Sequence, residues 1–247
     1  EKERMTAYGA DMSKYLDSGN EARIKKAYES RDPRLQMAII TPYAQYNGAS
    51  SGIAHTYTLR WPYRGSDSAE PFDIRTDTND KFYYLWRKFV PEGLEQTERD
   101  TYGLDIPLIR YAEVLLLKAE ALNEWGSTHE SEAIRCVNEV RRRAGHVELN
   151  NATYPATKVN GQSDLRERIR NEYYWEIGGE DSMYFHELRW GTWKDKKFDN
   201  NRNGLMQMWG ETTYTWYWLG DQCWSWPIPA KEMEMNSNLE QNEGWIN

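Results

Sequence analysis

The sequence predicts a mainly α protein: a helical hairpin of the tetratricopeptide kind, with long irregular aromatic loops and a few short strands around it. Three observations carry that prediction. Residues 108–122 repeat apolar or small side chains at Leu108, Tyr111, Ala112, Leu115, Leu116, Ala119 and Leu122, the i, i+3, i+4, i+7 spacing of one helix face. After a break at Gly126-Ser127-Thr128, a second run repeats Ala133, Ile134, Val137 and Val140 at helical spacing, and two helices joined by so short a turn lie antiparallel. Residues 40–80 lack a helical period and are rich in Gly, Ser, Thr, Tyr and Pro. They read as long irregular structure with short strands, and the aromatics argue against disorder.

In chain order, residues 1–16 and 20–30 read as helices parted by Asp17-Ser18-Gly19-Asn20. Residues 81–88 form a candidate strand. A helix is expected over 103–125, with Arg110, Glu113, Lys118, Glu120 and Glu124 mostly off its apolar face. The next, over 130–143, has Ser127 or Thr128 as its cap, Glu130 or Glu132 near its positive end, and Gly145 in the left-handed position past its last turn. A further helix is expected over 164–178, capped by Ser163 or Asp164, and a shorter one over 182–189. Residues 194–226 are again irregular and aromatic, although Thr213–Trp218 partly alternates as a strand does. With no Pro/Gly-rich linker, a single domain over 1–247 is expected. One hairpin cannot bury its own apolar face, and helical repeats usually stack about three or more units. With a single clear copy, the hairpin either packs on non-repeat structure in this chain or has lost neighbours upstream, and truncation at the N-terminus is expected.

Composition excludes several classes. A net charge of -8 lacks the clustered Lys/Arg of a nucleic-acid surface and suits an anionic membrane poorly. No stretch approaches the ~18 apolar residues that span a bilayer, and the polar first sixteen residues are not a signal peptide. Cys136 and Cys223 have no metal spacing; a disulfide between them stays open, with separate buried thiols favoured. The histidines lack ligand spacing, and His186-Glu187 has no second His to complete H-E-x-x-H.

Twelve Trp and seventeen Tyr are a heavy aromatic load. Flat sugar faces stack on such rings, while sugar hydroxyls need amides, carboxylates or guanidinium groups nearby. Tyr46, Asn47, Tyr57, Arg60, Trp61 and Tyr63, with Tyr43 and Gln45, offer that mixture, and Pro62 stiffens the backbone between the last two rings. The competing role for each ring is core filling. Trp209, Trp216, Trp218, Trp224 and Trp226 form a second group, for which packing of the C-terminal segment is the better account. Glu172 and Glu176 stand four apart on a helix, but the interleaved Arg166, Glu167, Arg168 and Arg170 are the pattern of a solvated, ion-paired face. A glycosidase pair needs two carboxyls facing across a cleft. Asp199, Asn201 and Asn203 with Gly204 resemble the start of a calcium loop, but Gly210 stands where the twelfth-position Glu belongs; an Asx turn accounts for them better.

Four stretches together resemble the C-terminal half of the SusD/RagB family, glycan-binding outer-membrane lipoproteins of Bacteroidetes. They are Asp32-Pro33-Arg34-Leu35, the pair Arg110–Glu124 and Val137–Gly145, residues 165–191, and the tail Pro227–Glu232 with Asn236–Asn242. They occur in the family's order and span almost the whole chain. The sequence departs from the pattern at Gly178-Gly179-Glu180-Asp181 and at His186-Glu187-Leu188. The resemblance implies a SusD-like fold and capture of oligosaccharide or polysaccharide at the cell surface. It also implies delivery to a SusC-like TonB-dependent transporter, with no catalysis and no cofactor. The lipid anchor would lie outside this sequence, and ligand-contacting aromatics would lie in the general region of Trp61 and Tyr63. A carbohydrate-active enzyme and a helical-repeat scaffold for protein partners are the rival classes, and a peptide ligand stays open beside a glycan.

Overall fold

A computed structural model of the chain describes residues 28, 31–50, 53–63, 73–77, 85–93, 105–180, 182–198 and 218–245. The expected helices over 1–16 and most of 20–30, the alternating segment 213–217, Trp209, Trp216 and the calcium candidates Asp199, Asn201 and Asn203 lie outside them. Contacts divide the chain into two compact units, with the boundary between Met183 and Tyr184; the single domain of the sequence stays an expectation.

In the first unit, the helix α1 (Pro33–Ala38) starts where Asp32 accepts a hydrogen bond from the Arg34 amide at 2.9 Å, and Pro33 opens its first turn. The strand β1 (Ile39–Ile40) pairs antiparallel with β5 (Leu85–Trp86). Between them, β2 (Gln45–Ser50) and β3 (Ile53–Tyr63) form an antiparallel hairpin, with β4 (Asp73–Asp77) parallel to β3. Over 40–80, where irregular structure with short strands was expected, most of the described residues lie in this sheet. The signal was present: Ile53, His55, Tyr57, Leu59, Trp61 and Tyr63 alternate with smaller or polar residues at strand period.

The hairpin of α2 (Tyr111–Trp125) and α3 (Glu130–Arg143) matches the expected pairing, and α4 (Gln162–Glu176) packs on both. Their shared core holds Leu115, Leu116, Ala119, Leu122, Ala133, Ile134, Val137, Val140, Leu165, Ile169 and Tyr173. Two details of α2 differ from expectation. It begins at Tyr111, not 103, because Pro107 cannot donate and biases Ile106 away from helix. Leu108 and Tyr111 are accordingly exposed rather than on the buried stripe, while Glu113 is buried. The helix α3 is preceded by a single 3-10 turn, Ser127–His129, with no side-chain cap from Ser127 or Thr128. Its C-terminus closes as a Schellman motif: the His146 amide donates to the Arg141 carbonyl at 2.9 Å, the Gly145 amide to that of Arg142 at 3.2 Å, and Gly145 has φ +70°. The helix α4 starts at Gln162 after Gly161, with no side-chain cap from Ser163 or Asp164, and ends at Glu176 rather than 178. Asn123 and Gln162 exchange amide-to-carbonyl bonds of 3.2 and 2.7 Å, stapling the end of α2 to the start of α4.

The helix α5 (Ser182–Arg189) follows α4 in the chain, as expected. The second unit carries α6 (Trp193–Lys197) and α7 (Ala230–Met235). Its rings form a chain of edge contacts from Tyr184 to Trp193 (4.9 Å), Phe198 (5.9 Å) and Trp218 (5.1 Å), and Trp218 meets Trp224 at a tilt (5.0 Å). That is the packing role expected for Trp218 and Trp224. Cys136 is buried, Cys223 is partly so, and both are free thiols; burial pushes the Cys136 thiol up.

Candidate functional site

The β2–β3 hairpin gathers all six sequence-predicted binding residues on two adjacent strands. Tyr46 and Tyr57 are register partners, so their rings stand on one face of the sheet. Gly48 lies two residues on from Tyr46, on the same face. A Cβ there would fall 2.8 Å from Cε2 of Tyr57 and 3.0 Å from Cε1 of Tyr46, so the missing side chain is what lets both rings lean together. His55, the partner of Gly48, meets Tyr57 edge-on at 6.3 Å. The Tyr46 hydroxyl donates to the Pro91 carbonyl at 3.0 Å, fixing the ring before any ligand arrives. Burial pushes the Tyr46 phenol up, and the charge of Glu92 adds to the shift. Glu92 in turn pairs with Arg87 at 2.8 Å.

Asn47 departs from expectation. One residue from Tyr46, it projects from the opposite face, where its side-chain oxygen accepts from the Thr56 hydroxyl at 3.2 Å. Its backbone carbonyl accepts from the Gly93 amide at 2.7 Å, and its amide donates to Glu92 at 3.1 Å, so it anchors the 91–93 segment. Arg60, Trp61 and Tyr63 continue β3, with an irregular register between Arg60 and Tyr63; their side chains lie outside the described residues. Sequence reasoning missed Gly48, Arg87 and Glu92. A glycine between strand tyrosines is a signal for close packing. Nothing in the sequence links Arg87 or Glu92 to a hairpin some forty residues away.

The hairpin base is rigid. The Tyr43 amide donates to the Leu59 carbonyl at 2.7 Å, and the Leu59 amide to the Ala44 carbonyl at 3.0 Å. Thr41, Pro42, Tyr43 and Leu59 are buried, whereas Asn47, Ile53 and Thr56 near the turn are exposed. Tyr43 therefore fills the core and is removed from the platform.

A second concentration of chemistry lies where α1, α2, α3 and α4 meet. Arg34 binds Asp32 in bidentate fashion (3.0 and 2.6 Å) and reaches Glu172 (2.8 Å) and Glu176 (3.1 Å). Arg141 takes the other Glu172 oxygen at 2.7 Å. Arg110 bridges Glu176 (2.8 Å) and Glu180 (2.7 Å), Lys88 also pairs with Glu180, and Arg143 with Glu176. Glu172 and Glu176 are thus buried, not on the solvated face expected of them. Burial raises the Glu176 carboxyl, but hydrogen bonds from Arg110 and Arg34 and the Arg143 charge outweigh it and hold it below the usual carboxylate range. Each of these carboxylates is engaged by cations, which is the arrangement of a structural keystone rather than of an acid and a base facing a substrate. Among the described residues, no cluster of three or more His, Cys, Asp or Glu is placed to hold a metal, and no helix is long and apolar enough to cross a membrane.

Comparison with known proteins follows the same lines. A SusD-like protein of Formosa agariphila is 32% identical over 139 residues, covering 56% of this chain and 24% of the relative. The starch-binding protein SusD of Bacteroides thetaiotaomicron is 28% identical over 161 residues, covering 65% of this chain and 25% of the relative. The matches thus span about a quarter of the relatives' length. Among solved structures, a SusD-like protein of Bacteroides fragilis superposes with a TM-score of 0.58 at 22% identity, over 89% of this chain and 40% of that one. A SusD homologue of Bacteroides thetaiotaomicron gives 0.56 at 22%, over 90% and 42%. The model of the SusD family matches residues 6–245, and the chain belongs to that family.

Proposed function

We propose that this chain is part of a cell-surface glycan-binding protein held at the outer membrane by a lipid anchor. In this reading it captures oligosaccharide without hydrolysing it and hands it to a SusC-like TonB-dependent transporter. Family membership and the starch-binding relative support glycan binding. The observation that carries the reading is the pair of rings, Tyr46 and Tyr57, leaning together over Gly48 on a strand face. A sugar's CH face can stack on such a pair, and His55, edge-on to Tyr57, offers a polar neighbour for its hydroxyls. Because Tyr46 is already hydrogen-bonded, little side-chain freedom is lost on binding. No cofactor enters this scheme.

The test is isothermal titration with maltoheptaose and then a panel of neutral and acidic oligosaccharides. Tyr57→Ala is expected to lose about 1–3 kcal/mol of binding, by analogy with stacking on other planar ligands, with little change in the thermal melt. Trp61→Ala is expected to do the same if the platform extends along β3. Gly48→Ala forces the two rings apart and should weaken binding without removing either. Hydrolysis of the panel by pure protein, or full affinity in both Tyr57→Ala and Trp61→Ala, would remove this reading.

A further inference from the structure

A pocket of about 220 Å³ opens beside the buried charge cluster, its lining including Arg34, Met37, Lys88, Arg110, Arg143 and Trp175, with Glu176 and Phe89 beside them. Three features mark it as more than a packing gap. The first is its charge. Among the described residues, five cations (Arg34, Lys88, Arg110, Arg141, Arg143) converge there on four carboxylates (Asp32, Glu172, Glu176, Glu180). Arg34 and Arg141 are buried with the glutamates, at 10% and 4% exposed. The Glu172, Glu176 and Glu180 side chains are 0%, 2% and 6% exposed, whereas Arg110 and Arg143 reach 28% and 59%. The most exposed charges lining the pocket are therefore cationic, in a protein whose net charge is -8.

The second feature is the wall. Trp175 is 44% exposed. His146 stacks on it at 5.7 Å, and the Arg141 guanidinium lies 5.7 Å from its ring. The indole is thus held by two neighbours and still lines the pocket. The third is strain. Phe89 lines the pocket with φ +62°, which is costly for a bulky residue and recurs where a site is built rather than merely filled.

We infer that this pocket seats one uronic acid residue of a glycan, its carboxylate against the Arg143 guanidinium and its ring along Trp175 and Met37. A guanidinium fork matches a planar carboxylate in two parallel hydrogen bonds. Among the described residues Arg143 pairs only with the buried Glu176, through Nη2, and its side chain is 59% exposed, which leaves donors for a ligand. The volume is below the ~300–1,000 Å³ of a site for larger ligands, which suits a single ring. The inference rests on the glycan-binding reading and adds to it a preference for acidic sugar.

The probe is tri-galacturonate, compared with its methyl ester, which keeps the same rings and removes the charge. The acid should bind at least about tenfold tighter than the ester, the scale of a hydrogen-bonded charge. The difference should shrink between about 0.05 M and about 0.5 M salt. Arg143→Gln should lose about tenfold for the acid alone, and Arg143→Lys should recover part of it. Melting curves of both variants show whether the fold is intact, and Trp175→Phe, which keeps a ring in the wall, should retain binding. Equal affinity for acid and ester, or unchanged acid affinity in Arg143→Gln, overturns the inference. Binding of neutral oligosaccharides with none of tri-galacturonate sinks this pocket and leaves the glycan reading standing; no binding anywhere on the panel sinks both.

Discussion

At the scale of single residues, Arg34 carries the most consequence. Its position after Asp32-Pro33 marks it in the sequence as a clamp for a carboxylate, and the structure gives it three: Asp32, Glu172 and Glu176. Lysine keeps the charge but cannot serve so many acceptors from one planar fork. Arg34→Lys is expected to destabilise by about 1–3 kcal/mol, the cost of leaving buried charged acceptors short of donors. The acid side supplies a sharper check. Burial raises the Asp32 carboxyl, but its bonds to Arg34 outweigh that, and both Asp32 and Glu176 titrate below their ordinary values. Groups with depressed folded values contribute stability that is present above the unfolded carboxylate range and is lost as pH falls through the folded values. The wild-type melting temperature should therefore hold down to about pH 5 and fall steeply below about pH 4. The Arg34→Lys curve should start lower and converge with it in acid. Curves that stay parallel at every pH would mean that Arg34 stabilises by packing alone. The partners of Arg34 were illegible in the sequence for a simple reason. Alternating charges along α4 look alike whether they face water or face one arginine that is 138 residues from Glu172 and 142 from Glu176 in the chain.

At the scale of elements, the helical hairpin was legible because its signal is local. Buried Leu115, Leu116, Ala119 and Leu122 recur at the period of α2, and the following turn is short. Its start was not legible, since Ile106, Leu108 and Ile109 imitate the period while non-helical, bent backbone leaves them exposed. Substitution separates the two groups. Leu116 is fully buried and Leu115 nearly so, whereas Leu117 is 41% exposed and Leu108 is 88% exposed. Leu115→Ala and Leu116→Ala should each cost about 2–5 kcal/mol, the range for deleting a packed leucine where the core cannot collapse. Leu108→Ala should stay within about 0.5 kcal/mol, as surface changes do. A loss at Leu108 matching that at Leu116 would mean that α2 starts earlier than Tyr111. The β2–β3 hairpin shows the opposite case. Its period was written plainly in 53–63, but the glycines, the serines and Pro62 around it read as loop, and strand pairing is settled by partners rather than by propensity.

At the scale of the whole molecule, local stability grades from frame to platform within the first unit. Glu172 and Tyr173 of α4 are both fully buried, Arg34 of α1 and Arg141 of α3 meet on Glu172, and opening α4 there would expose the core and unpair the charge cluster together. The hairpin is tied at its base by Leu59 and Tyr43 but turns outward to exposed Asn47, Ile53 and Thr56. Backbone bonds near exposed strand ends open at low cost, and those in a shared core open only with global unfolding. Native-state amide exchange should therefore be slowest in 169–176, slow at the Leu59 and Tyr43 amides, and fast at Asn47 through Thr56. That gradient gives the ligand a distinct signature. A sugar lying on Tyr46 and Tyr57 binds only the closed hairpin, so it must suppress local opening by an amount set by its concentration over its Kd. Saturating oligosaccharide should then slow exchange across 45–50 and 53–59 and leave α4 unchanged as long as α4 exchanges by global unfolding slower than the time of the experiment. Slowing confined to helices α2–α4, with the hairpin indifferent, would place the ligand on the helical frame and remove Tyr46 and Tyr57 from its site.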